Sequence, residues 1–259
     1  MAASPPVYAP DSGAATTVDE AEVARFSAMA AEWWNPDGKF RPLHMFNPVR
    51  LAYIRDTIAQ RMGRDPQGEA PLAGVRIVDI GCGGGLIAEP LAVMGAAVLG
   101  IDASARNIGT ASAHAAESGV TSVSYRHGRA EELVAEDQYF DVVLALEVLE
   151  HVSDVRLFLQ TCARLLRPGG VLFLATLNRT AKSYALAIIG AEYVLGWLPR
   201  GTHDWRRFLK PSEIAAALRP HGVAVRDISG LTYNPFNRAF SLSPHDHSVN
   251  YLLWAEKEE

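Results

Sequence analysis

A glycine cluster follows directly on an apolar run in Val78-Asp79-Ile80-Gly81-Cys82-Gly83-Gly84-Gly85. Gly81 and Gly83 carry no side chain, so a ligand can approach the backbone there, and a helix that follows offers free N–H groups. Asp102 closes the next apolar run, where a carboxylate can accept hydrogen bonds from both hydroxyls of a ribose. The same pair would suit a dinucleotide-binding dehydrogenase, but the pattern G-x-G-x-x-G needs a glycine at position 86 and Leu86 stands there. Asp79 adds a carboxylate that can bind the turn or a ligand amino group. These details favour a methyl donor over a dinucleotide.

A second group lies in Leu146-Glu147-Val148-Leu149-Glu150-His151. If the chain turns helical here, Glu147, Glu150 and His151 share one face at i, i+3 and i+4. Such a face can hold a hard divalent ion such as Mg²⁺ through oxygens. It can equally supply a base for a phenol, and histidine has a suitable intrinsic pKa. The plainer alternative is that His151 packs beside a cofactor while both glutamates bind backbone or solvent.

The elements that must position these residues alternate. Strands are expected at 75–80, 97–101, 123–125, 141–146 and 171–176, with helices at 86–94, 105–117 and 155–166. The last helix is closed by Arg167-Pro168-Gly169-Gly170. Continuous apolar strands between helices predict an α/β fold with a mostly parallel sheet covered on both faces. Both chemical groups then fall at strand carboxyl ends, where such sheets bind ligands. Beyond Thr176 the alternation breaks into an apolar helical insertion at 181–199, a helix at 211–218 and strands at 224–228 and 249–255. Before it, helices are expected at 19–29 and 49–62, separated by an ordered loop containing Pro36, Pro42 and Pro48. Residues 1–18 read as a mobile tail, and 19–259 as one domain with a helical cap at 19–74.

Composition narrows the classes. With 259 residues, 49% of them hydrophobic, the chain can bury a full core. A net charge of −5 with scattered basic residues argues against nucleic acid as partner. Cys82 and Cys162 are too few for a disulfide scaffold and fit a reducing cytosol. No uninterrupted apolar stretch of membrane-spanning length occurs, and the N-terminus lacks a secretory pattern.

The glycine loop, Asp102, the acidic end of the fourth strand and Arg167-Pro168-Gly169-Gly170 look like the ordered signatures of class I methyltransferases, a Rossmann-like fold with a seven-stranded sheet. The flanks resemble something narrower, the bacterial and mitochondrial ubiquinone-biosynthesis O-methyltransferases, over roughly residues 19–256. That resemblance rests on Phe26-Ser27-Ala28-Met29-Ala30, Trp33-Trp34, Phe40-Arg41-Pro42-Leu43-His44 and Asn47-Pro48-Val49-Arg50. It continues in Glu147-Val148-Leu149-Glu150-His151-Val152, Thr176-Leu177-Asn178-Arg179, Gly190-Ala191-Glu192-Tyr193, Gly201-Thr202-His203-Asp204 and Gly230-Leu231-Thr232-Tyr233-Asn234-Pro235.

The resemblance implies S-adenosyl-L-methionine as cofactor, contacted by Arg50, Gly81, Asp102 and Leu146, with the Arg50 guanidinium able to fork onto the methionine carboxylate. Ala130-Glu131 would flank adenine. It further implies Mg²⁺ at Glu147, Glu150 and His151, with Glu147 and His151 catalytic, and polyprenyl catechols or quinols as substrates of two O-methylation steps, 3-demethylubiquinol and 2-polyprenyl-6-hydroxyphenol. His203 and Asp204 would orient the ring or only stabilise a turn, and Trp33 and Trp34 read as core anchors, with a wall of the acceptor pocket as the alternative.

The insertion at 181–199 would lie on membrane lipid, flanked by Arg179, Lys182, Arg200, Arg206 and Arg207 to meet headgroups. A lid or dimer contact is the other reading of it. The expected setting is cytoplasmic, peripheral to the inner membrane, alongside other ubiquinone-biosynthesis enzymes. Rival readings are a class I methyltransferase for a small soluble acceptor, an NAD-binding module and a non-catalytic scaffold.

Overall fold

A computed structural model of the protein describes residues 16–186, 204–234, 236–237 and 239–259. In the sheet, β1 (Arg76–Ile80), β2 (Ala97–Asp102), β3 (Val123–His127), β4 (Phe140–Leu146) and β5 (Leu166–Leu177) are parallel. They are joined by β8 (Asn250–Lys257), β6 (Val223–Asn234) and β7 (Ala239–Ser243) in the order β3-β2-β1-β4-β5-β8-β6-β7. Only the pairings of β8 and β7 are antiparallel. The sheet therefore carries one strand beyond the seven expected, because β7 pairs with the end of a β6 that runs well past position 228. Arg167–Gly170, expected to be only a helix stop, lies within β5 at a register shift between Phe140 and Val142.

The continuous apolar strands are buried on both faces, as a parallel sheet requires. Val78, Ile80, Val143 and Ala145 pack with Phe158, Leu159 and Cys162 of α6 (Val155–Leu165) on one face. Ile77, Leu144 and Phe173 pack with Ile54 and Ile58 of α2 (Arg41–Arg61) and Leu91 of α3 (Ala88–Val93) on the other. Helices α4 (Ala105–Glu117), α5 (Ala130–Ala135), the short α7 (Ala181–Ser183) and α8 (Pro211–Leu218) complete the described set with α1 (Glu20–Ser27). Asp19 caps α1 through hydrogen bonds from the Ala21 and Glu22 amides.

Two expectations need correction here. Residues 41–48 are helical, not a loop. Pro42 falls in the first turn of α2, where its missing N–H costs nothing, and Pro48 is carried inside the helix. Burial of the apolar Phe46, Ile54 and Ile58 offsets the lost hydrogen bond. Nor do residues 17 and 18, expected in the tail, stand apart from the domain. Thr17 is buried, its amide and hydroxyl both donate to Glu131 Oε1 (2.9 and 2.7 Å), and its carbonyl accepts from Ser153 N.

The insertion is described only through residue 186, and 187–203, with His203, lie outside the described residues. Among the described residues no helix is long and apolar enough to cross a membrane.

Because α2 carries Arg50, its anchoring matters to the site. Ile54→Ala should cost about 3 kcal/mol of stability in urea unfolding. A loss below about 1 kcal/mol would show that α2 is not fixed by this core.

Candidate active site

Strand β1 ends at Ile80, and the chain turns at once through Gly81 and Gly83, both in the left-handed region (φ 71° and 54°). A Cβ on Gly81 would sit 2.6 Å from Val148 Cγ2, and one on Gly83 or Gly84 would strike the Trp33 ring. The loop is therefore glycine-rich partly because the cap sits on it. Trp33 stacks on Phe40 at 3.7 Å between ring centroids, and its Nε1 donates to Asn107 Oδ1. The Trp34 Nε1 donates to the Gly84 carbonyl. Both tryptophans anchor the cap on this loop, and Trp33 also lines the cavity beside it.

Asp102, at the end of β2, accepts from Gly83 N (3.0 Å), Ser104 N (2.7 Å) and Asn107 Nδ2 (3.2 Å). Burial raises its carboxyl above the usual range, and these hydrogen bonds pull against that shift. Asp79 lies beneath the loop on the α2 side of β1. Burial first, and then the charge of Asp102, push it up to about 7.

Above these residues lies a cavity of about 700 Å³, well within the range of small-molecule sites. Arg50, Gly81, Asp102, Leu146, Glu147, Glu150 and His151 all line it, so every predicted site residue converges on one space. Ala130 and Glu131 line it as well, beyond Asp102. Arg50 is almost fully buried and forms an ion pair with Glu147 Oε1, which also accepts from Asn250 Nδ2 (3.0 Å). Burial lowers the guanidinium's pKa, and the Glu150 carboxylate opposes that shift. The Arg50 Nε has no partner among the described residues. An orphaned, buried, cationic donor over a glycine loop fits a ligand carboxylate, and Asp79 fits a ligand amino group.

The predicted single face of Glu147, Glu150 and His151 does not form. Glu147 adopts a left-handed backbone (φ 56°), and only Leu149–His151 wind into a 3₁₀ turn. The three side chains consequently take different partners. Glu147 pairs with Arg50, Glu150 Oε2 accepts from Thr176 Oγ1 (2.7 Å), and His151 Nδ1 meets Glu22 Oε2 (2.9 Å). Among the described residues no group of three or more potential metal ligands is gathered, and the three side chains expected to hold Mg²⁺ are engaged by separate partners.

Two contributors escaped the sequence reading. Glu22 of α1 reaches His151 across 129 positions, a separation that leaves no local signal. Burial raises its carboxyl, but the His151 hydrogen bond and the charges of His151, Arg25 and Arg207 hold it below the usual range. Asn107 was recoverable, since Ser104 caps α4 by accepting from its amide, and that spacing marks a helix start behind Asp102. Asp204, by contrast, caps a 3₁₀ turn by accepting from Arg206 N, the turn-stabilising alternative. Of the basic residues expected at headgroups, Arg179 pairs with Glu213, Lys182 with Asp246 and Arg207 with Asp19.

A Rossmann-like sheet with a ribose-type acid and a glycine turn at the carboxyl ends of its strands suits class I methyltransferases and dinucleotide-binding enzymes alike, and the family match decides for the methyltransferases. Residues 78–174 match the family described as "Methyltransferase domain". The fold is shared with magnesium protoporphyrin IX methyltransferase from Synechocystis, solved with bound SAH. That comparison has a TM-score of 0.58 and 21% identity, covering 90% of this chain and 100% of that one. A SAM-dependent methyltransferase from Aquifex aeolicus also shares it, with a TM-score of 0.52 and 13% identity, covering 85% and 98%.

Full-length relatives are much nearer in sequence. The ubiquinone biosynthesis O-methyltransferase of Sinorhizobium medicae is 57% identical over 244 residues, 94% of this chain and 98% of that one. The protein of the same name from Chelativorans sp. is 56% identical over 242 residues, covering 93% and 95%. The chain belongs to the ubiquinone biosynthesis O-methyltransferase family and is an S-adenosylmethionine-dependent O-methyltransferase.

Asp79 makes a pH signature. Its folded pKa is raised from the ordinary 3.8 to about 7, so its favourable contribution is complete below the ordinary value and lost as pH rises towards about 7. Asp79→Asn should therefore remove part of the fall in urea midpoint between about pH 4 and about pH 7. Identical pH profiles for parent and variant would contradict the shift.

Proposed function

We propose that the chain methylates ring hydroxyls of polyprenylated catechols at both O-methylation steps of ubiquinone biosynthesis, 3-demethylubiquinol and 2-polyprenyl-6-hydroxyphenol. The observation that carries this reading is the single cavity shared by a donor end and an acceptor end. Arg50, Gly81, Asp102 and Leu146 hold the donor, and Glu147 and His151 face the space beside it. When bound, the donor supplies an electrophilic methyl group on a cationic sulfur.

Asp102 binds the ribose, Leu146 walls the adenosyl part and Glu131 lies at the adenine end. Arg50 turns its unpartnered Nε to the methionine carboxylate. The acceptor oxygen must lose its proton to become a good nucleophile. His151 takes it. Its Nδ1 meets the Glu22 carboxylate, which favours the tautomer with a proton on Nδ1 and makes Nε2 the accepting atom. The Glu22 charge then stabilises the imidazolium that forms. Glu147, held by Arg50 and Asn250, orients the ring hydroxyls. Alignment inside a largely apolar cavity supplies the rest.

A tailed acceptor resides in lipid, and the described start of the insertion supports access from there. Tyr184 and Leu186 are about half exposed. Peripheral contact with the cytoplasmic face of the inner membrane through 181–199, beside other enzymes of the same biosynthesis, suits such a substrate.

Two outcomes test the assignment. His151→Ala should lower kcat on a soluble catechol by about a hundredfold or more while binding S-adenosylhomocysteine like the parent. Asp102→Ala should weaken S-adenosylhomocysteine at least about tenfold in calorimetry without losing the fold. Unchanged kcat in the first variant would strip His151 of its role, and unchanged affinity in the second would do so for Asp102.

A further inference from the structure

The cavity is more than a donor site with a small annex. Its donor end lies by Gly81, Asp102 and Glu131, and its polar middle is Arg50, Glu147, Glu150, His151 and Asn250. A third stretch continues to β6 and β7 and contains Leu231, Tyr233 and Phe240, with Leu186 at the edge. Tyr233 and Phe240 are direct cross-strand partners, so both side chains leave the same face of the hairpin, and Leu231 lies two residues along on that face. The two rings lie 5.0 Å apart, and Phe240 also meets Phe46 of α2 edge-on at 5.4 Å. The walls are thus apolar and aromatic, where a catechol head would need polar groups.

We propose that this stretch is the channel for the acceptor's isoprenoid tail, running out between the β6–β7 hairpin and the segment at 181–186. The inference rests on the acceptor class proposed above and assigns its tail to named residues. Two observations choose this end of the cavity over the end beneath α1. The α1 end is clasped by polar contacts, Thr17 to Glu131, Asp19 to Arg207 and Glu22 to His151. The hairpin end instead has an apolar rim, with Leu186 52% exposed, and the turn of the same hairpin presents Phe236 at 97% exposure.

The charged groups near the rim neutralise one another, since Lys182 Nζ lies 2.7 Å from Asp246 Oδ2 and that ion pair holds the Asp246 carboxyl at about 2. A hydrocarbon chain offers no hydrogen bonds and gains only from leaving water, so an apolar conduit ending in an apolar rim is what recognises it.

Calorimetry on the full chain saturated with S-adenosylhomocysteine tests this, with farnesyl catechol and untailed catechol as probes. The parent should bind the farnesyl compound at least about tenfold more tightly. Leu186→Asp, an exposed position whose change leaves the core intact, and Phe240→Ala should each abolish most of that preference. Affinities for untailed catechol and S-adenosylhomocysteine should stay at parental values. A parent without preference for the tail, or variants that weaken both catechols alike, would overturn the channel. Methylation of untailed catechol by the parent is scored separately. Its absence would count against the proposed acceptor chemistry while the binding preference still decides the channel.

Discussion

The site depends on one buried cation. Arg50 projects from a cap helix into the space over the β1 and β4 ends and is shielded almost completely from water. A guanidinium in that position is tolerable only if carboxylates answer it, and Glu147 and Glu150 do. That requirement ties α2 to the end of β4 and fixes where the cap sits. It also explains the left-handed backbone at Glu147, a residue type that rarely adopts it, since this turn carries the carboxylate to Arg50 instead of along a helix. Arg50 thereby separates the two halves of the cavity, with one donor directed at the ion pair and another still unpartnered.

The cap contributes more than cover. Trp33 and Trp34 lie on the glycine loop, and Thr17, Asp19 and Glu22 reach Glu131, Arg207 and His151 from above. Most of these are polar contacts between partly exposed groups, individually worth little to stability. Their consequence is positional. They set the orientation of His151 and close the Glu131 end of the cavity, so the segment before α2 belongs to the candidate site as much as to the fold.

Much of this was legible beforehand. The glycine turn, Asp102 and the strand-helix alternation are local patterns, and local patterns predict local structure well. Arg50 was found through a motif, and it lines the same cavity as Gly81 and Asp102. Three features were not legible, each for a physical reason. Pro48 normally ends a helix, but the buried face of α2 outweighs one missing hydrogen bond. The helical spacing of Glu147, Glu150 and His151 assumed an ordinary backbone, and the demand of the Arg50 charge overrides it. Strand β7 is short and exists because β6 continues to meet it, which no window around 239–243 reveals. The Glu22–His151 pair belongs to the same class of long-range contacts.

The central claim is that one continuous cavity receives the donor between Arg50 and Asp102 and the acceptor beyond Glu147. A crystal structure with S-adenosylhomocysteine and an untailed catechol tests it most directly. The account predicts ribose hydroxyls on Asp102, the amino-acid carboxylate on Arg50 Nε, and a ring oxygen facing both the sulfur and His151. An adenosyl group bound elsewhere, or a catechol on the donor side of Arg50, would contradict it.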